Sequence, residues 1–201
     1  MGQGIIENTP TLETERLVLR RFKPEDAQAF FQIMSDREVN TFLPWFPADS
    51  LEAAGEMLRV QYLHTYAAPS GYRYAICLRG EDAPIGYVGL SGGEAHDFGY
   101  GLRREYWRRG IVPEAGAAVI ERLRRASGLP FITATHDVNN PASGAVMRKL
   151  GMTYRYSYQE HWLPKDIQVI FRMYQLDFAE DVETYHGYWE RYPEHRVEPG
   201  L

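Results

Sequence analysis

In the stretch YWRRGIVPEAGAAVIERLRR, residues 106–125, apolar residues recur at helical spacing only in the second half. Val112, Ala115, Val119 and Leu123 fall on one face, which predicts an amphipathic helix. Pro113 suits its first turn, where a missing N–H costs nothing. Glu114 sits near the positive end of the helix dipole and Arg122, Arg124 and Arg125 near the negative end. Gly128 and Pro130 stop the helix. Elsewhere the period changes to two. Residues 16–22, RLVLRRF, alternate like a strand, and 72–78 and 85–90 read as strands joined by the polar turn 79–84. Further strands are predicted at 95–102, 131–136, 154–162 and 167–176, the last two joined by a hairpin turn at Leu163-Pro164-Lys165-Asp166. Helices are predicted from Lys23 to about Ser35, from Leu51 to about Tyr66, and from Asn140 to Leu150. The FLPWFP segment at 42–47 reads as a rigid aromatic loop, and the acidic, aromatic tail from Ala179 has room for one short helix.

This order predicts an α/β (α+β) protein: two early helices, a run of antiparallel strands, then strand–helix–strand–helix and a terminal hairpin. Strand, helix, strand from Ala95 to His136 is a crossover unit, so strands 95–102 and 131–136 are expected to be parallel. Ligands of such units lie at the carboxyl ends of the strands. There is no internal repeat, linker or low-complexity block. One domain is expected over residues 12–178, with 179–201 as a C-terminal extension.

Composition narrows the chemistry. The 201 residues are 44% hydrophobic, enough for one sizeable core or two small ones. A net charge of −5 argues against a nucleic-acid partner, which would call for a basic excess, and favours a cationic substrate such as an amine. The single cysteine, Cys77, rules out an internal disulfide framework and points to a reducing, cytoplasmic setting. No secretory signal is visible in residues 1–12, and no apolar run approaches the roughly 18 residues that span a membrane, so no membrane partner is expected.

The Gly110 turn is the first candidate site. A helix N-terminus offers unpaired N–H groups to an anion. Gly110 takes the side chain out of the way, and Arg108 and Arg109 add donors suited to phosphate oxygens. A capped surface helix with solvated arginines would read the same way. Other motifs fail. Gly99-Tyr100-Gly101 begins like a dinucleotide fingerprint, but Arg104 stands at the third glycine position. His64, His96, His136, His161, His186 and His195 show no metal-ligand spacing, no G-x-S-x-G occurs, and Cys77 lies mid-strand, so neither a metal nor a nucleophilic triad is expected.

The second candidate is NNPASGAVMRKLGM, residues 139–152, where Asn140 and Ser143 lie three apart at a helix start. Either could simply be a cap. A strand ending in GYGL, then EYWRRGIVPEA, a second strand, and N-x-x-S followed by RKLGM resembles the GNAT superfamily of N-acetyltransferases. Together with TERLVLRRFKPEDAQAFF near the start, it is most similar to the branch that acetylates N-terminal amines of ribosomal proteins. The resemblance covers about residues 12–178. It implies a mixed, mostly antiparallel central sheet of about seven strands with helices on both faces, and a splayed parallel strand pair binding acetyl-CoA. The family's pyrophosphate loop falls on residues 107–112, so Arg108, Arg109, Gly110, Ile111 and Val112 would hold the cofactor. Trp107 replaces its first polar residue, Val112 its small last one, and Pro113 lacks an N–H. Leu102 and Arg103 would pair through their backbone with the pantetheine arm, Asn140 would hydrogen-bond that arm, and Ser143 would lie near the thioester sulfur. Where many relatives carry a tyrosine general acid this chain has Met147, which leaves Ser143 as the candidate replacement.

The implied reaction is direct attack of a neutral amine on acetyl-CoA, without metal or covalent intermediate. Asp97, two residues before Gly99, aligns with an acidic residue frequent on that strand and is the first candidate base; Glu160 is the second. Either could be an acidic side chain on the wet face of an antiparallel strand. The partners implied are acetyl-CoA and an amine acceptor, a peptide N-terminus or a small amine such as a polyamine or amino sugar, with a homodimer left open. A non-catalytic acyl-CoA-binding domain is the competing class. Phe42, Trp45 and Phe46 lie where the family builds its acceptor wall, or pack on the core.

Overall fold

A computed structural model describes residues 7–68 and 71–201, so the first half of the stretch 1–12, in which no secretory signal was expected, lies outside the described residues. Their contacts group into two compact units, one of the described residues within 1–41, 47–90 and 99–128, the other of residues 42–46, 91–98 and 129–201.

The first unit holds β1 (Leu12–Glu13), β2 (Leu17–Arg20), α1 (Ala27–Met34), α2 (Leu51–Gln61), β3 (Arg73–Leu78), β4 (Pro84–Leu90), most of β5 (Phe98–Leu102) and α3 (Ile111–Ala126). Its five-stranded sheet has the order β1-β2-β3-β4-β5, with β1, β2, β3 and β4 successively antiparallel. Leu17 and Leu19 of β2 are fully buried, as their alternation demands. Phe22, Phe30 and Tyr62 pack edge to face beneath them, with centroids 4.7 to 5.6 Å apart. Ala115, Val119 and Leu123 of α3 are fully buried, as the helical period predicts. Ser50 caps α2 by accepting from the Ala53 N–H.

The second unit holds β6 (Phe131–Asp137), α4 (Pro141–Lys149), β7 (Thr153–Trp162), β8 (Ile167–Asp177), α5 (Gly187–Arg191) and β9 (His195–Arg196). Its sheet has the order β6-β8-β7-β9, antiparallel throughout.

The mixed, mostly antiparallel architecture is the one the sequence predicts. The division of strands is not. Instead of about seven strands in one sheet there are, among the described residues, five in one and four in another. The expected parallel pairing of 95–102 with 131–136 is reduced to one bridge, Asp97 with Thr133. From Phe98 onward β5 hydrogen-bonds to β4 instead, while β6 gives seven residues to β8. β1 and β9 were not foreseen, because two residues are too few to show an alternation. No described helix is long and apolar enough to cross a membrane.

Gly144 on α4 faces His136 on β6, where a Cβ would stand 2.5 Å from the imidazole Nε2. His136 donates through Nδ1 to the Asp137 carbonyl, and its Nε2 is buried without a partner. Burial holds its pKa below the ordinary value, so the ring is kept neutral. Gly144→Ala therefore overpacks the contact. We expect it to lower unfolding stability by about 1–3 kcal/mol in a denaturant titration.

Candidate active site

The turn before α3 is built by its torsion angles. Arg108 and Gly110 both adopt left-handed backbone, with φ of +60° and +73°. A glycine does so without strain, whereas an arginine needs its surroundings to hold it there. Gly110 is the N-cap of α3, its carbonyl accepting from the Glu114 N–H. Ile111 and Val112 send their side chains into the core, so what they offer to a ligand is their backbone N–H groups; Pro113 offers none. Two N–H groups at a helix N-terminus, beside the exposed Arg108 and Arg109, are donors suited to an anion. The Arg109 guanidinium lies 5.5 Å from the centre of the Tyr106 ring, which limits where it can swing.

What holds this turn was not visible in the sequence. Arg16, on the turn before β2, donates through Nη1 to the Arg109 carbonyl at 3.0 Å. It also grips the Glu114 carboxylate through Nε at 2.7 Å and Nη2 at 2.6 Å. The Thr14 hydroxyl and the Arg16 N–H donate to the other oxygen of Glu114 at 2.5 and 3.0 Å. Burial works against the Glu114 charge, but these donors outweigh it and hold the carboxyl below its ordinary pKa. One guanidinium thus pins both the carbonyl before Gly110 and the first turn of the helix after it.

Leu102 and Arg103 are less free than the resemblance implies. The Leu102 carbonyl accepts from the Trp107 indole at 2.8 Å, and the Arg103 N–H donates to the Ile85 carbonyl at 2.9 Å. A pantetheine arm pairing there would use the second lone pair of the Leu102 carbonyl or displace the indole.

The second unit carries the remaining candidates. Asn140 is the N-cap of α4, with its Oδ1 accepting from the Ser143 N–H at 3.3 Å. Its amide nitrogen is the atom able to donate to a cofactor carbonyl. Ser143 is half-buried on the first turn of α4, whereas Met147 is 1% exposed and belongs to the core.

Of the two candidate bases the structure separates the environments. Asp97 is half-buried, and its Oδ1 is fully shielded without a hydrogen-bond partner. Burial raises its pKa to about 6. Burial also raises that of Glu160, but the Tyr192 phenol and the Arg191 charge oppose it. Asp97 is thus the carboxylate poised to take a proton near neutral pH, and Glu160 is the one already engaged. The Asp97 charge reaches the phenols of Tyr158, Tyr185 and Tyr188, two of them on the C-terminal extension. The sequence marked that tail as aromatic but did not connect it to Asp97.

Of the aromatic loop, Phe42 and Trp45 are half-buried and Phe46 is 60% exposed. Cys77 is buried, with its thiol pushed up to about 11 by that burial, which makes it a poor nucleophile. No group of three metal-ligating side chains occurs among the described residues.

Residues 16–153 match the acetyltransferase (GNAT) domain family. Over 146 residues the chain is 32% identical to the uncharacterized N-acetyltransferase YoaA of Bacillus subtilis (strain 168), covering 71% of this chain and 82% of that protein. Its fold is similar to that of a GNAT-family acetyltransferase from Bacillus anthracis, with a TM-score of 0.73 at 22% identity over 85% of this chain and all of the other. It is also similar to RimL, a ribosomal L7/L12 alpha-N-protein acetyltransferase solved in complex with coenzyme A, with a TM-score of 0.73 at 19% identity over 84% of this chain and 98% of the other.

Proposed function

The chain belongs to the GNAT family of acetyl-CoA-dependent N-acetyltransferases, and from that premise we propose that its acceptor is an α-amine at a protein or peptide N-terminus. The observation that carries this reading is the desolvated Asp97 carboxyl without a hydrogen bond on its inner oxygen. An α-amine has a pKa of about 7.7–8.0, against about 10.4 for a lysine side chain. At pH 7 roughly a tenth of α-amines are neutral, but only about one lysine in 2,500. A base whose pKa is about 6 is matched to the first and too weak for the second. RimL, whose name records an α-N-protein substrate, is in keeping with this choice.

Residues 12–178 form the catalytic domain and 179–201 an extension of it. The first-turn N–H groups of Ile111 and Val112, with Arg108 and Arg109, take the pyrophosphate. The Asn140 amide and the backbone at Leu102 and Arg103 take the pantetheine arm. The amine nitrogen forms a bond to the acetyl carbon as the carbon–sulfur bond breaks. The proton lost by the amine goes to Asp97, and the Ser143 hydroxyl hydrogen-bonds the departing thiolate, which takes its proton from solvent.

The test is mass spectrometry of peptides carrying both a free N-terminus and an internal lysine, after incubation with acetyl-CoA. Acetyl is expected on the N-terminus. Acetyl mainly on lysine overturns the proposal, and so does rapid turnover of a polyamine or amino sugar with no peptide acetylated.

A further inference from the structure

The C-terminal extension is anchored from Glu183 to Glu198. The Tyr185 N–H donates to Gln175 Oε1 at 2.8 Å, and Tyr156 donates its phenol proton to the Tyr185 carbonyl at 2.7 Å. β9 pairs with β7, and Glu198 takes an ion pair from Arg172 at 2.6 Å and a hydrogen bond from Ser157 at 2.5 Å. Between these anchors lies α5. Five residues do not form a stable helix alone, so α5 takes its shape from what it packs on. That surface is the aromatic core of β7 and β8. The Tyr188 ring stacks on Tyr158 at 5.0 Å, Tyr192 does so at 4.9 Å, and Trp189 meets Tyr156 edge to face at 5.4 Å.

The position of Tyr188 bears on the reaction. Thr133 is fully buried and donates its hydroxyl proton to the Ala95 carbonyl at 2.8 Å, and the Tyr188 phenol lies close to that same side chain. Thr133 is the residue that bridges to Asp97. Paired residues on neighbouring strands put their side chains on one face, so the phenol that ends on Thr133 stands beside the Asp97 carboxyl.

We propose that Tyr188 is a positioning residue for the Asp97 base: its ring and hydroxyl wall the carboxyl off from water, so the extension completes the acceptor side of the active site. This rests on Asp97 being the base. The titratable groups around that carboxyl are the phenols of Tyr158 on β7 and of Tyr185 and Tyr188 on the extension, with Glu94 acting on Tyr185. Burial keeps all three phenols above their ordinary pKa, so they are neutral throughout the working range. The wall acts by excluding solvent, and not by charge.

The experiment measures kcat/KM against pH for an acetylated peptide in the full-length protein, with coenzyme A affinity by calorimetry and the melting midpoint as controls. In Tyr188→Ala the acid limb is expected to fall from about 6 towards the ordinary aspartate value of about 3.9, with kcat down about tenfold and coenzyme A affinity unchanged. Tyr188→Phe keeps the ring and should hold most of the limb in place. If Tyr188→Ala does not fold, Tyr188→Val removes the outer part of the ring while keeping some packing, and should move the limb the same way. An unmoved limb in a folded Tyr188→Ala or Tyr188→Val protein overturns the inference, whatever happens to the melting midpoint. Asp97→Asn separates the two levels. If that variant keeps its activity, the base assignment fails. If it loses the limb and the Tyr188 variants do not shift it, only the role of Tyr188 fails.

Discussion

Gly110→Glu is expected to lower the affinity for coenzyme A by more than 100-fold while the protein stays folded. Space alone does not forbid a side chain, since the nearest atom to a Cβ there is Arg16 Nη2 at 3.6 Å. The backbone does resist it, because φ is +73° and an L-residue pays about 1–2 kcal/mol in that region. The larger effect is electrostatic. A carboxylate at the N-cap of α3 takes the helix dipole and the two first-turn N–H groups that a pyrophosphate would use, and then repels it. Gly110→Ala separates the terms, since it carries the backbone cost without the charge and should bind coenzyme A much better than the glutamate variant. Calorimetry decides: unchanged affinity in Gly110→Glu would mean that the pyrophosphate does not sit on this turn.

Asp97→Asn is expected to do two opposite things. Removal of a general base costs roughly 10²–10⁴-fold in rate. In the unmodified protein kcat/KM should rise with pH through about 6, as Asp97 loses its proton, and the variant should lack that limb. Its stability should move the other way. The folded carboxyl titrates at about 6 and the unfolded one at about 3.9, so the native state holds its proton longer and loses stability as the pH climbs through that window. Asparagine never charges. Above pH 6 the variant should therefore be more stable by about 1–3 kcal/mol, and below pH 4 the two proteins should unfold alike. Denaturant titrations at pH 4 and pH 7.5 check the sign. Equal stability at both would mean that the carboxyl is not desolvated.

The contrast between what could and could not be foreseen follows the range of the interactions. The α3 helix was legible because its period, its proline and its glycine are all local signals, and Gly110 proves to be the left-handed N-cap. The strand at 95–102 was legible as a strand, but the choice of its partner belongs to β4, which no local pattern reports. Asn140 was ambiguous between cap and ligand because one side chain has an atom for each task, and the structure shows Oδ1 in the first. Arg16 gave no signal, since its partners Arg109 and Glu114 lie 93 and 98 residues away. Tyr188 was visible as part of an aromatic tail, but its neighbours Thr133 and Tyr158 sit on strands that precede it in the chain by tens of residues.

The Arg16 clamp also sets an order of events during synthesis. Thr14 and Arg16 leave the ribosome about a hundred residues before the Glu114 carboxylate that they hold, a wait of roughly 5–20 seconds at ordinary elongation rates. Until then two donors and a guanidinium lack the carboxylate that they hold in the finished fold. The turn at Gly110, in its place, cannot take its final shape from the residues around it. It matures only when the oldest part of the chain is still present, correctly paired, and waiting. Loss of a dozen and a half residues from the amino end would leave every phosphate-facing group in the sequence and still unmake the site.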